Sequence, residues 1–295
     1  MTLYKYVPPE RLDILTGGLI RFTQAAGLND PFDLRPLFES FIPKEKLMAP
    51  WEGKTLDQLP YLLIDAQEAY AHLPPEAQQK VRFEELPAYI SARLGTPEGR
   101  EEIWELVLPL NEYAVDPPAA IKAELLKTVT QTGGIMSMSE VPDDLTMWVA
   151  YAESHRGVVI CFNEAHPFFH QGRPSKPFLQ VTKVEYRAKG TPYPSLIDMT
   201  ATEIFFTKTD DWSYEKEWRM AAPLNIADAV VTGLHEPIYL FKFPNDCVEG
   251  VIVGSAALPE LVKDLRKLKS ESRYQHLSLR QARIAGQRAE FDVLK

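Results

Sequence analysis

Twenty-four prolines in 295 residues set the tightest limit on what this chain can fold into. Each one fixes φ and removes a backbone donor, so a helix interior or a central strand cannot run through it. They fall mostly between apolar runs, which implies many short elements with sharp breaks. The length admits one large domain or two ordinary ones, and 45% hydrophobic content is enough for a sizeable core.

Strand-like alternation or continuous apolar character marks Leu3–Val7, Leu19–Thr23, Ile135–Ser139, Val158–Phe162, Val181–Tyr186, Ile238–Phe243, Val248–Val253, Leu277–Ile284 and Glu290–Val293. Short helices are expected at Glu10–Leu15, after Asp143 and Asp144, at Met199–Thr207 and at Leu258–Leu268. The strands lack βαβ regularity. The expected class is therefore α+β, a twisted mixed or antiparallel sheet core with an inserted helical segment. The core takes residues 1–35 and 131–295. The insert, residues 36–130, holds 16 acidic and 9 basic side chains and apolar positions at helical spacing, such as Leu62, Ala66, Ala69 and Tyr70. His72 within it reads as a surface or packing residue.

A net charge of −9 argues against a general nucleic-acid binder, although residues 259–290 carry 8 basic and 4 acidic side chains. A solvated amphipathic helix explains that patch, and docking of an acidic partner or nucleic acid is the alternative. No run approaches a membrane span and no signal-peptide pattern opens the chain, so a cytoplasmic protein is expected. Two cysteines make no disulfide framework, and His166 and His170 are separated by Pro167, so no metal site is expected.

Chemistry concentrates in Phe206–Met220. If its second half is a strand, Glu215, Glu217 and Arg219 share one face, and Trp212, Tyr214 and Trp218 supply an apolar surround. The other reading is an edge strand whose polar face meets water. The turn-rich loop after Thr23 presents Asn29, Asp30 and Asp33 at a pocket mouth, or is a turn anchored by Phe32. Trp148, Tyr151 and Ala152 lie on one helix face, and the polar turn with His155 and Arg156 feeds a buried strand.

Four motifs in order, Leu3-Tyr4-Lys5-Tyr6, Leu28 to Asp33, Ser137 to Glu140 with Met147-Trp148 and Tyr151-Ala152-x-x-His155-x-Gly157, then Lys208 with Trp212-x-x-Glu215-x-Glu217-Trp218-Arg219, resemble the bacterial family catalogued as domain of unknown function 2971. A second similarity is to the layout of ADP-ribosyltransferases: strand, short helix, Gly, strand, and a late Glu-x-Glu strand. That similarity implies NAD as substrate. Tyr4 or Tyr6 and Thr23 would hold NAD, Glu217 would stabilise the ribosyl cation, and Glu215 would face the acceptor. Lys5, Arg156 or Arg219 would offset the pyrophosphate, and Trp212, Trp218 or Tyr4 would stack on a ring. The Tyr-Lys-Tyr of the first strand departs from the His or Arg that many members place there.

The expectation is an NAD-binding ADP-ribosyltransferase or NAD glycohydrolase, with a small nucleotide ligand and a protein or nucleic-acid acceptor, acting in phage defence or a toxin system. Two alternatives stand beside it. One is a non-catalytic recognition module, and the other a phosphodiester hydrolase using Asp30, Asp33, Glu215 and Glu217.

Overall fold

In a computed structural model, residues 1–30, 33–34, 37–40, 75–80, 82–85, 88, 92, 96–99, 131–172, 178–196, 198–233 and 236–294 are described. Most of the expected helical insert, with His72, and Phe32 of the turn loop lie outside them. Two compact units emerge, one of Met1–Pro36, Lys127–Thr191 and Thr200–Lys295, the other of Leu37–Leu126 and Pro192–Met199.

The strands run in chain order as β1 (Thr2–Val7), β2 (Leu19–Phe22), β3 (Phe38–Ser40), β4 (Gly133–Ser139) and β5 (Val158–Asn163). Next come β6 (Val181–Lys183), β7 (Glu185–Arg187), β8 (Tyr193–Ser195), β9 (Thr207–Thr209) and β10 (Glu217–Pro223). The series closes with β11 (Ala229–Val231), β12 (Ile238–Lys242), β13 (Val248–Val253), β14 (Ser278–Ala285) and β15 (Arg288–Val293). In the smaller unit, β3 pairs with β8.

The larger unit is built on an eight-stranded sheet of order β15-β14-β13-β5-β1-β4-β10-β6, mixed because β13 and β14 run parallel while the other pairs are antiparallel. The fold is α+β. β5 is apolar from Val158 to Phe162 because both its faces are covered. One face carries Val158, Ile160 and Phe162 with Leu3, Met136, Met138 and Met220. The helix Pro259–Ser270, which links β13 to β14, packs its Leu261, Leu265 and Leu268 into that same cluster. The opposite face carries Val159, Cys161 and Tyr6 under Met147 and Trp148 of the helix Leu145–Tyr151. Thus residues of one strand serve two cores by alternation.

Two expected elements come out differently. Val181–Tyr186 is split at Val184, because β6 pairs with β10 whereas β7 turns away to pair with β9. The alternation through Glu215 is interrupted too. Asp210–Glu215 is a 3-10 turn, Lys216 sits in the left-handed region at φ 43°, and the strand begins at Glu217.

The sheet has one weak seam. β4 partners β10 over seven residue pairs and β1 partners β5 over six, yet β1 and β4 share a single pair, Tyr4 with Ser139. On the far side of that seam Thr23, at the end of β2, bridges Ile135 of β4 through two backbone hydrogen bonds of 2.7 and 2.9 Å.

Candidate functional site

A cavity of about 220 Å³ opens at this seam. Tyr4, Lys5 and Tyr6 of β1, Thr23 of β2, Asn29 of the following loop, and Tyr151, Glu215 and Glu217 from the later elements line it. Gly27, Leu28, Asp33, Ser137, Met138, Met147 and Lys208 complete the wall.

Pairing between β4 and β10 explains how charged side chains come to be buried here. Glu217 lies opposite Ser139 and Arg219 opposite Ser137, whereas Trp218 and Met220 face Met138 and Met136. Small serines leave room for long charged side chains on one face, and large apolar pairs fill the other. Arg219 is 0% exposed, and its guanidinium is fully engaged. Nη1 and Nη2 donate to the two oxygens of Asp33 at 2.9 and 2.5 Å, and Nε and Nη2 donate to those of Glu217 at 2.9 and 3.0 Å. Nη1 also donates to the Phe205 carbonyl at 3.0 Å. This planar fork is what a lysine could not supply.

Asp33 reaches the guanidinium across 186 residues of sequence. Its carboxylate also accepts the N–H of Leu34, which is buried in the left-handed region at φ 57°. A leucine there is a strained position, held by what surrounds it.

Lys208, from β9, joins the two glutamates: Nζ lies 2.7 Å from Glu215 Oε2 and 3.3 Å from Glu217 Oε2. The ammonium also sits 4.5 Å from the centre of the Trp212 ring, a cation–π contact. Glu215 accepts a second hydrogen bond from the Tyr151 hydroxyl, which in turn accepts from the Asn29 amide at 2.5 Å.

These surroundings separate the carboxylates. Burial opposes ionisation of Glu217, but Arg219 and then Lys208 outweigh it, and a Ser137 hydrogen bond helps, so its pKa falls to about 2. Glu215 goes the other way: burial raises its pKa and Lys208 and Tyr151 offset this only in part. Asp33 is also raised, by burial against the pull of Arg219. Lys208 and Arg219 are raised because the carboxylates outweigh their desolvation. Glu217 is therefore a fixed anion and Glu215 the group better suited to take up a proton.

At the seam Lys5 donates from Nζ to the Ser137 carbonyl at 2.9 Å, bridging strands that no longer pair. Desolvation, then the repulsion of Arg11, lowers its pKa to about 8 despite Glu217.

Several residues expected at the site lie elsewhere. Trp148 is buried in the core, where Nε1 donates to the Pro142 carbonyl at 2.8 Å and the ring meets Tyr6 edge-on. His155 stacks on Trp148 with ring centres 5.9 Å apart, within a left-handed run of Glu153, Ser154 and His155 at φ 47°, 51° and 67°. Burial lowers its pKa, so it packs as a neutral ring. Gly157 follows because any Cβ there would lie 2.1 Å from the Val7 carbonyl oxygen. Arg156 is exposed and 4.0 Å from Glu153. Asp30 is buried in its own turn, its carbonyl accepting the Asp33 N–H at 3.1 Å. Trp212 backs Lys208 and does not line the cavity. Trp218 faces the other side of β10, with Nε1 donating to Glu140 at 2.8 Å. Arg219 stands behind Glu217, its donors consumed by protein. Arg219 is thus not available to a pyrophosphate, and Arg156 does not line the cavity.

Two contributors carry more of the site than their sequence context suggests: Lys208, which bridges both glutamates, and Asp33, which lies behind Glu217 and anchors Arg219. Both stand in the family-like motifs, and an isolated lysine in a Thr-Lys-Thr strand seven residues before Glu215 is the signal available for Lys208. Residues 147–220 match the family described as Protein of unknown function (DUF2971). That stretch contains Tyr151, Lys208, Glu215, Glu217 and Arg219, so the resemblance holds over the carboxylate side of the cavity. No curated protein and no solved structure matches the chain. Among the described residues no helix is long and apolar enough to cross a membrane, and no His, Cys, Asp or Glu group is placed to hold a metal.

Proposed function

We propose that the seam cavity binds the nicotinamide riboside end of NAD and cleaves the bond between nicotinamide and ribose. The observation that carries this reading is the convergence of Tyr4, Thr23, Glu215 and Glu217, from three separate segments, on one cavity.

The charge balance suits that chemistry. Three carboxylates, Asp33, Glu215 and Glu217, face two cations, Arg219 and Lys208, so this end of the cavity carries surplus negative charge. As the C1′–N bond breaks, its electron pair goes to the pyridinium nitrogen and positive charge develops on the ribose. Glu217, held ionised and immobile, lowers that barrier without reorganising. The water or acceptor oxygen then bonds to C1′, and Glu215 takes the proton it releases. Tyr4 and Tyr6 offer aromatic surface to the departing ring. About 220 Å³ is below the roughly 300–1,000 Å³ of ordinary ligand pockets, so it takes a ring and a sugar and leaves the rest of the dinucleotide outside.

One observation favours a second reading, recognition of the ligand without cleavage. Both oxygens of Glu217 already accept from Arg219 or Lys208. Incubating the chain with NAD labelled in the nicotinamide ring, alone and with cell lysate, decides between the two. Cleavage frees labelled nicotinamide and Glu217→Gln abolishes it; a chain that binds NAD and frees none is a recognition module.

A further inference from the structure

The other end of the cavity has the opposite charge. Lys5 lines it, and its hydrogen bond to the neutral Ser137 carbonyl leaves the remaining ammonium donors without a carboxylate. Alternation on β2 puts Arg21 on the same face as Thr23, which also lines the cavity. The Arg21 guanidinium presses against Gly27 of the wall: a Cβ on Gly27 would sit 2.8 Å from its Nη2. Among the described residues neither Lys5 nor Arg21 has an ion-pair partner. Arg11 completes the group; its repulsion reaches both neighbours, and its own counterion is Asp13 at 3.0 Å. Three cations thus gather with one carboxylate partner among the described residues, in a protein of net charge −9. Like charges are held together at a cost unless an anion joins them.

We propose that Lys5, Arg21 and Arg11 form a subsite for the phosphoryl groups of a small nucleotide, placed beside the cavity so that the ring and sugar enter toward the carboxylates and the phosphates stay at its basic rim. This rests on the NAD reading only for what enters the cavity; the anion subsite stands or falls by itself. Three cations suit a pyrophosphate better than a single carboxylate, because each can meet a different oxygen. Nucleic acid is the poorer occupant, since the chain as a whole is acidic. The groups that face Lys5 are Arg11, Arg21 and Glu217, and the last is neutralised by Arg219 and Lys208. An arriving anion therefore meets net positive charge.

The test is isothermal titration calorimetry of the full chain with inorganic pyrophosphate, nicotinamide riboside and the riboside 5′-phosphate. The 5′-phosphate binds about tenfold or more tightly than the riboside, a gain of the size expected for charge-assisted hydrogen bonds. Arg21→Gln and Lys5→Met each remove most of that gain and weaken pyrophosphate in parallel, and Arg21→Gln, outside the cavity wall, leaves riboside affinity and thermal stability near native. Partly exposed Arg21 supplies the variant that keeps the test valid if Lys5→Met fails to fold. Equal affinity for the two nicotinamide compounds, or a gain that survives both substitutions, overturns the subsite. Pyrophosphate binding that depends on Arg21, with no binding of either nicotinamide compound, upholds the subsite and removes the NAD reading.

Discussion

The two ends of the seam cavity are built on opposite principles. At the carboxylate end every charged group has an opposite partner: Arg219 forks between Asp33 and Glu217, and Lys208 bridges Glu215 and Glu217. At the basic end Lys5 and Arg21 are left without counterions among the described residues, and Arg11 has only Asp13. A saturated ion network is rigid, since moving any member strands another in a poorly solvated interior. Its purpose is position. An unsaturated cluster is the reverse, since it gains free energy when something anionic arrives. The contrast teaches that the site keeps fixed charge where chemistry is expected and open charge where binding is.

Removing the centre of the fixed end has the largest expected effect. Arg219→Ala leaves two carboxylates buried against each other and lowers stability by about 3–5 kcal/mol, read as a shift of the urea midpoint. An unfolding curve that hardly moves would mean that water already reaches the network. Glu217→Gln keeps the shape and removes the anion; NAD cleavage falls by about 10²-fold or more while the folded state persists.

A smaller effect separates the ends by pH. The folded chain holds Glu217 ionised down to about 2, whereas an ordinary glutamate protonates near 4.5. The unfolded chain therefore takes up that proton first, and stability is lost as pH falls from about 4.5 toward 2; Glu217→Gln flattens the slope there. Lys5 gives the opposite region of the curve. Its folded pKa of about 8 lies below the ordinary 10.5, so the folded chain sheds the proton first. Stability then rises with pH between those values, while anion affinity falls as Lys5 discharges above about 8. Lys5→Met removes both trends. The smallest change is Arg156→Gln, which touches neither end and stays within about 0.5 kcal/mol of native with unchanged ligand affinity.

The strands of the larger unit were largely legible, because alternation in Leu3–Val7, Ile135–Ser139 and Val158–Phe162 reports which face is buried. The carboxylate end was legible in part. Glu217 and Arg219 stood out as charges amid tryptophans, and the β4 register that buries them is written in Met-Ser-Met-Ser alternation. What the pattern hid was backbone conformation: Glu215 comes from a 3-10 turn through a left-handed Lys216, which side-chain periodicity does not encode. Trp148 and His155 misled for a different reason. An aromatic pair that stacks within the core has the same composition as one that stacks on a ligand. Arg21 could not have been chosen, since only the fold brings it to Gly27 and Lys5.

Steady-state NAD cleavage by the native chain, Glu217→Gln and Arg21→Gln tests the division between the two ends most directly. The account predicts that Glu217→Gln lowers kcat with little change in KM, and that Arg21→Gln raises KM about tenfold with kcat near native. No cleavage by the native chain, or a fall in kcat from Arg21→Gln as deep as that from Glu217→Gln, would contradict it.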